Sequence, residues 1–174
     1  MKKRDIVTII IAIIVILIDQ LSKIYIKSSQ TTNFVLIEGI LKLNIAQNTG
    51  IAFSIANKNL VGIIITNILV IVMLFKFLIS QRKNINLITQ VSIIFIIAGG
   101  ISNLIDRCFK GAVIDFIDIS DFIKNFPIFN IADIFIVIGF IIFVILSWFN
   151  MINLRKVYLG GRKVDTENNS KGAK

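Results

Sequence analysis

Residues 60–79 read Leu60-Val-Gly-Ile-Ile-Ile-Thr-Asn-Ile-Leu-Val-Ile-Val-Met-Leu-Phe-Lys-Phe-Leu-Ile79. Such a run, with Lys76 near its far end as the one charge, is long and apolar enough to cross a bilayer as a helix. The stretches 87–105 and 128–149 qualify on the same ground. Around them the chain has 174 residues, 56% hydrophobic, with a single proline. A soluble domain of that size could not hide so much apolar surface, so the class is integral membrane.

A fourth span comes first in the chain. Ile6 to Ile18 is apolar but short, and crosses only if it continues through Asp19 and Lys23 to about Ile26. The other reading is the apolar core of a signal peptide behind Met1-Lys2-Lys3-Arg4. No small-x-small cleavage site follows, and Asp19-Gln20 is a poor boundary, so a retained helix over 6–26 is expected. Residues 1–159 then form one four-helix domain, and 160–174 a polar cytoplasmic tail.

Loop charge sets the orientation. With the N-terminus inside, four spans put the C-terminus inside too. The inner segments then hold 12 of the 19 basic residues, among them Lys3, Arg4, Arg82, Lys83 and Arg155, against Asp5, Asp165 and Glu167. The outer side balances to zero, so the whole excess of +9 lies on the face expected to be cytoplasmic. A pI near 9.9 therefore reflects topology and attraction to anionic lipid, not a nucleic-acid partner.

The chain has no histidine and one cysteine. Histidine-based triads, the HExxH zinc site and an internal disulfide are all excluded. Hydrolytic chemistry, if present, must rest on carboxylates, lysine or hydroxyls. Cys108 reads as a passive small hydrophobe.

An ionisable group at membrane depth costs about 2.5–3.5 kcal/mol, so each needs a reason. Asp19 and Lys23 lie one helical turn apart on one face and read as an internal ion pair, with a direct chemical role as the alternative. Asn67 and Lys76 are the notable polar groups of the second span, and Lys76 can snorkel. Small residues at 98–102 allow close helix approach in the third span. Should that helix continue, Asn103, Asp106 and Arg107 share a face. A polar network would explain Asp106 with Arg107 better than it explains Asn103. In the fourth span Asp133 sits about 8 Å beyond Ile128 along the axis, with no basic residue near it in sequence. That depth favours a functional reading. Between the last two spans, Asp115, Asp118 and Asp121 alternate with apolar residues, as in an amphipathic segment on the membrane surface. A solvated face is the reading for Asp118 and Asp121, while Asp115 is flanked by hydrophobes. Asn48-Thr49-Gly50 reads as a tight turn at the same outer level.

Five patterns, in order, resemble the lipoprotein signal peptidase (signal peptidase II) family: Asp19-Gln20-Leu21-Ser22-Lys23, Asn48-Thr49-Gly50-Ile51-Ala52-Phe53, Gly99-Gly100-Ile101-Ser102-Asn103-Leu104-Ile105-Asp106-Arg107, Val113-Ile114-Asp115-Phe116 and Phe129-Asn130-Ile131-Ala132-Asp133. They cover the chain from about residue 5 to 150. Two departures stand out: Ser102 where the family usually has glycine, and Ile134 where serine is common.

The resemblance implies an all-α membrane protein of four transmembrane helices with a small periplasmic β-cradle, for which residues 34–53 are β-branched and apolar enough. It implies a catalytic dyad of Asp115 and Asp133, a substrate site shaped by Asn48, Gly50, Asn103, Arg107 and Asn130, and support from Asp19, Lys23 and Asp106. The activity implied is an aspartic endopeptidase of the bacterial inner membrane that cleaves diacylglyceryl-modified prolipoproteins before the lipobox cysteine. It needs no metal or organic cofactor and touches only substrate and bilayer lipid, as a monomer. Two adjacent carboxyls share a proton, and Asp133, near a helix N-terminus, is expected to be the ionised member. The rival from another class is a small ion or solute transporter using membrane carboxylates. It would want polar groups through the full bilayer depth, whereas the inner halves of these spans are mostly Ile, Val, Leu and Phe.

Overall fold

The computed structural model describes residues 3–29, 33–50 and 59–149. The polar tail, and the 51–53 end of the Asn48 pattern, lie outside them. Four helices are long and apolar enough to span a bilayer: α1 (Lys3–Ser28), α2 (Leu60–Gln81), α3 (Leu87–Lys110) and α4 (Ile131–Phe149). Their outward faces carry exposed Ile, Leu, Val and Phe, as lipid contact demands. The third span runs five residues further than its apolar stretch, which keeps Asn103, Asp106 and Arg107 on one continuous helix.

α3 is the central helix, with twelve buried residues against one in α2. It packs on α1 and α2. α4 lies against it so closely that a Cβ on Gly99 would stand 2.6 Å from the Ala132 carbonyl oxygen, and one on Gly139 2.5 Å from that of Ser92. Backbone cannot retreat as a flexible side chain can. Gly99→Leu should therefore destabilise the protein by about 3 kcal/mol or more and lower its melting midpoint in detergent. Gly100→Ala meets only ordinary contacts near 3.4 Å and should melt close to the parent.

Local signals set the helix ends. Asn59 and Asn86 cap α2 and α3, accepting from the backbone N–H of Gly62 and Thr89 at 2.8 Å each. Gly111, at φ +74°, closes α3 in the left-handed conformation that glycine adopts freely, and the chain turns directly into a strand. At the end of the bundle where α1 begins, Arg82 pairs with Asp5 at 2.9 Å, and Arg4 donates to the Ile85 carbonyl, tying α1 to the α2–α3 connection.

The opposite end of the bundle carries an antiparallel sheet of β1 (Phe34–Ile37), β2 (Leu41–Asn48) and β3 (Val113–Asp118), in that order. β1 is the exposed edge, and β3 is buried against the helices. The acidic segment after α3 is thus a strand at 113–118, not an amphipathic segment lying on the surface. Cross-strand pairing with β2 wins over surface seating because residues 113–116 are all buried.

Asp118 also departs from the solvated face expected of it. It is buried, accepts from Asn44 Nδ2 at 3.2 Å and from the Ser120 N–H at 2.8 Å, and lies 3.8 Å from Lys42 Nζ. Burial works against its charge, but the Ser120 and Asn44 hydrogen bonds and Lys42 outweigh that and hold its pKa below the usual carboxylate value. Asp121 is exposed and pairs with Lys42 at 2.7 Å.

Candidate active site

Asp115 enters from β3 and Asp133 from the first turn of α4. Two features bring these elements together. Phe129 pairs with Ile117 in an isolated antiparallel bridge, with N–H to carbonyl distances of 2.8 and 3.1 Å, so the chain enters α4 beside β3. Asn130 then caps α4: its Oδ1 accepts from the Asp133 N–H at 3.0 Å, while Asp133 Oδ2 accepts from the Asn130 N–H at 3.1 Å. This reciprocal capping box fixes the Asp133 carboxylate at the N-terminus of α4. It supplies the local partner that no basic residue near Asp133 provides.

The Asn130 side chain binds both halves of the site. Its Nδ2 donates to Asp115 Oδ1 at 2.6 Å and to Asn103 Oδ1 at 3.1 Å. Asn103 Nδ2 in turn donates to Asp133 Oδ1 at 2.8 Å. On the other side, Ala46 faces Asp115 across β2–β3, so Asn48 is its diagonal neighbour on the same sheet face. Asn48 Nδ2 reaches Asp115 Oδ2 at 3.0 Å, and Asn48 Oδ1 accepts from the Gly50 N–H at 3.0 Å, closing the expected turn. Arg107 Nη2 donates to the Gly50 carbonyl at 2.8 Å. Asp115 is 2% exposed. Burial first, and the Asp133 charge second, raise its pKa to about 6, against the pull of the Asn48 and Asn130 donors.

Beneath the pair lies an ionic cluster. Lys23 is fully buried, and its ammonium reaches Asp19 at 2.6 Å, Asp106 at 2.8 Å and Asn103 Oδ1 at 3.1 Å, one acceptor for each of its three protons. Lys110 adds a second cation to Asp106 at 2.7 Å, so two acids face two lysines. Asp19 extends further. Its Oδ1 accepts from the Ala132 N–H at 2.9 Å, in the first turn of α4, and its Oδ2 accepts from the Ser102 hydroxyl at 2.7 Å.

All ten residues singled out from the sequence fall in this connected region: Asp19, Lys23, Asn48, Gly50, Asn103, Asp106, Arg107, Asp115, Asn130 and Asp133. One pairing differs. Asp106 engages Lys23 and Lys110, while Arg107 turns to Gly50, because neighbouring residues on a helix point about 100° apart and cannot share one partner set. Three contributors were missed. Lys110 is four residues from Asp106 and would follow from continuing the helix past Ile105. Ser102 is fully buried, and Gln20 Nε2 donates to its hydroxyl at 3.0 Å and to Asp106 at 3.2 Å. Both stood inside the quoted motifs, Ser102 as a departure from the family's usual glycine, but neither had been given a role.

Asn48, Asn103, Arg107, Asp115 and Asp133 border one cavity of about 620 Å3, whose other walls include Ile119, Phe126, Phe129, Ile134 and Val137. A polar end carrying two carboxylates thus opens on an apolar chamber.

Four spanning helices with paired carboxylates at such a chamber define a membrane protein built around a carboxylate site. The family described as signal peptidase (SPase) II matches residues 11–149, and the chain belongs to that family. It is 35% identical over 151 residues to the lipoprotein signal peptidase of Staphylococcus haemolyticus (strain JCSC1435), covering 84% of this chain and 94% of that protein. To the lipoprotein signal peptidase of Staphylococcus aureus (strain bovine RF122 / ET3-1) it is 36% identical over 140 residues, covering 79% and 85%. A bacterial membrane enzyme solved by the in meso method at 2.3 Å superposes with a TM-score of 0.78 at 33% identity, covering 84% of this chain and 90% of that one. The chain is accordingly a bacterial membrane peptidase, and the transporter reading gains no support.

Proposed function

We propose that this protein removes the signal peptide from diacylglyceryl-modified prolipoproteins, cutting before the lipobox cysteine, as an aspartic endopeptidase with Asp115 and Asp133 as its catalytic pair. The observation that carries the reading is two carboxylates, linked through the side chain and backbone N–H of Asn130, on one apolar cavity large enough for lipid.

The chemistry follows from where the proton rests. Asp115, with its pKa raised to about 6, keeps its proton more readily than an ordinary carboxyl. Asp133, at the N-terminus of α4 and accepting from Asn103 and the Asn130 N–H, acts as the ionised partner. A water attacks the scissile carbonyl carbon and passes a proton to Asp133, while Asp115 donates its own to the carbonyl oxygen. As the tetrahedral species collapses, the C–N bond breaks, Asp133 protonates the departing amine and Asp115 recovers its proton. The dyad ends as it began, and no acyl-enzyme forms.

Asn48, Gly50, Asn103, Arg107 and Asn130 position the substrate backbone and the two acids, and Asp19, Lys23 and Asp106 hold the frame. The working arrangement is a monomer with both termini cytoplasmic and the site at the outer leaflet. Support comes from the basic residues gathered at the opposite end, Lys3, Arg4, Arg82 and Lys83.

The test is incubation of the purified protein, in detergent or lipid, with a diacylglyceryl-modified precursor, following signal-peptide release by gel shift. Release is expected; a folded protein that leaves the precursor intact sinks the reading and makes ion flux the next assay. The same assay carries a pH prediction. A raised carboxyl pKa means the proton is retained to higher pH and lost as pH rises through about 6. Since kcat/KM reports groups of the free enzyme, it should fall above about pH 6. A profile level from pH 5 to 8.5 would remove Asp115 as the proton donor.

A further inference from the structure

A second cavity, of about 250 Å3, is walled by Ile63, Thr66, Asn67, Leu74, Ile96 and Gly100, among others. Arg107 and Ile136 border both this cavity and the larger one that holds the carboxylates. From Ile63 to Leu74 the smaller cavity follows α2 for about 16 Å, at about 1.5 Å per residue. The larger one follows α4 past Ile134, Val137 and Ile138. Two apolar channels therefore part at one arginine.

The polar groups of the smaller channel are turned to the protein's own backbone. The Thr66 hydroxyl donates to the Gly62 carbonyl at 2.8 Å, and Asn67 Nδ2 reaches the Gly100 carbonyl at 3.4 Å. What remains for a ligand is apolar wall, unsuited to a peptide, whose amides would be stranded there. At the fork the demand is the opposite. Arg107 Nη2 is taken by Gly50, but Nε is fully buried and has no acceptor among the described residues. A buried donor without a partner is costly, and a ligand carbonyl would relieve it.

A ligand with two apolar arms and acceptor oxygens where they join fits this shape. We infer that the two acyl chains of the substrate's diacylglyceryl group part at Arg107, one lying along α4 in the larger cavity and the other along α2 in the smaller. An ester carbonyl at the branch accepts from Arg107 Nε. This rests on the peptidase reading and adds to it where each chain goes and which group separates them.

The experiment compares kcat/KM on precursor peptides whose lipobox cysteine carries two ester-linked chains or only one. Thr66→Trp and Val70→Trp would each fill the α2 channel from its exposed side, away from the catalytic machinery and the tightly packed α3–α4 contact. The parent should favour the two-chain substrate on the order of tenfold, about the worth of one hydrogen bond to a charged donor. Both Trp variants should bring the ratio near one. Independently, a photoreactive group at the end of either chain, used with the unaltered protein, should label residues within 63–74 as well as α4.

An unchanged ratio in variants that melt like the parent would overturn the inference, leaving the α2 channel as a seam for bulk lipid. So would labelling confined to α4 and α1. A parent that cleaves neither substrate would instead take down the peptidase reading, and this inference with it.

Discussion

Asp115→Asn and Asp133→Asn should each lower signal-peptide release by at least about 10³-fold, with KM little changed, because general acid–base transfer contributes about 10²–10⁴-fold and the proposed mechanism uses the two acids as one proton-sharing unit. The losses should not add in the double variant, since either change alone leaves the pair unable to hold one proton and one charge. Asp118→Asn is the internal comparison. It is a buried carboxylate on the same strand, three residues from Asp115, but its partners are Asn44, Ser120 and Lys42, and it does not border the cavity. It should cleave within a few-fold of the parent. Gel-shift rates at saturating and limiting precursor, with melting curves for each variant, check all three. Near-parental cleavage by a folded Asp115→Asn or Asp133→Asn would leave the peptidase activity standing and remove that residue from the pair.

Melting curves also separate chemistry from folding. At pH 8 the parent must carry a charged Asp115 in a buried place, against a pKa raised to about 6. Its contribution to stability is therefore unfavourable above that pH and vanishes below about 4, where the carboxyl is protonated folded or unfolded. Asp115→Asn removes that charge but leaves its amide facing the Nδ2 donors of Asn48 and Asn130. The variant should accordingly lack the parent's loss of stability between pH 4 and 7, whatever its absolute midpoint.

How far the sequence carried this picture depends on the range of the forces involved. The four spans were legible because a bilayer imposes length and polarity on every crossing segment, residue by residue. Asp133 stood out because a carboxylate inside an apolar run has a cost visible in the sequence itself, although α4 begins at Ile131 rather than Ile128 and so holds Asp133 in its first turn instead of about 8 Å along the helix. Its handling by Asn130 was also local, three residues away, yet a capping box is evident only once the helix start is known. Strand β3 was misread because Val113–Asp118 alternates in a way a surface segment shares. What decides between them is pairing with β2, more than sixty residues earlier in the chain. The partners of Asp106 were hidden for the same reason. Lys23, on α1, meets it only because α1 packs on α3, and no spacing rule links residues so far apart. The catalytic assignment itself came from the ordered resemblance of five motifs, since periodicity alone went no further than a carboxylate site near the outer leaflet.

The ionic cluster yields the other large effect. Lys23→Met removes the only cation that Asp19 touches and one of the two that Asp106 touches, among the described residues. Both carboxylates are fully buried, so the variant strands a charge where water cannot reach it. Breaking a buried pair from one side costs about 3–5 kcal/mol. The damage should also reach the chemistry, because Asp19 Oδ1 holds the Ala132 N–H beside Asp133, and Lys23 holds the Asn103 side chain that donates to Asp133. Asp19→Asn combined with Lys23→Met tests whether charge is the cause. It leaves Asp106 paired with Lys110, keeps a carbonyl oxygen at position 19 for Ala132, and strands no ion. The double variant should therefore recover part of the stability that Lys23→Met loses, a coupling that independent sites do not show. Chemical or thermal unfolding in one detergent compares the parent, the two single variants and the double. If the double is destabilised by the sum of the singles, Lys23 contributes through packing of its stem, and the cluster is not the charge-balanced frame described above.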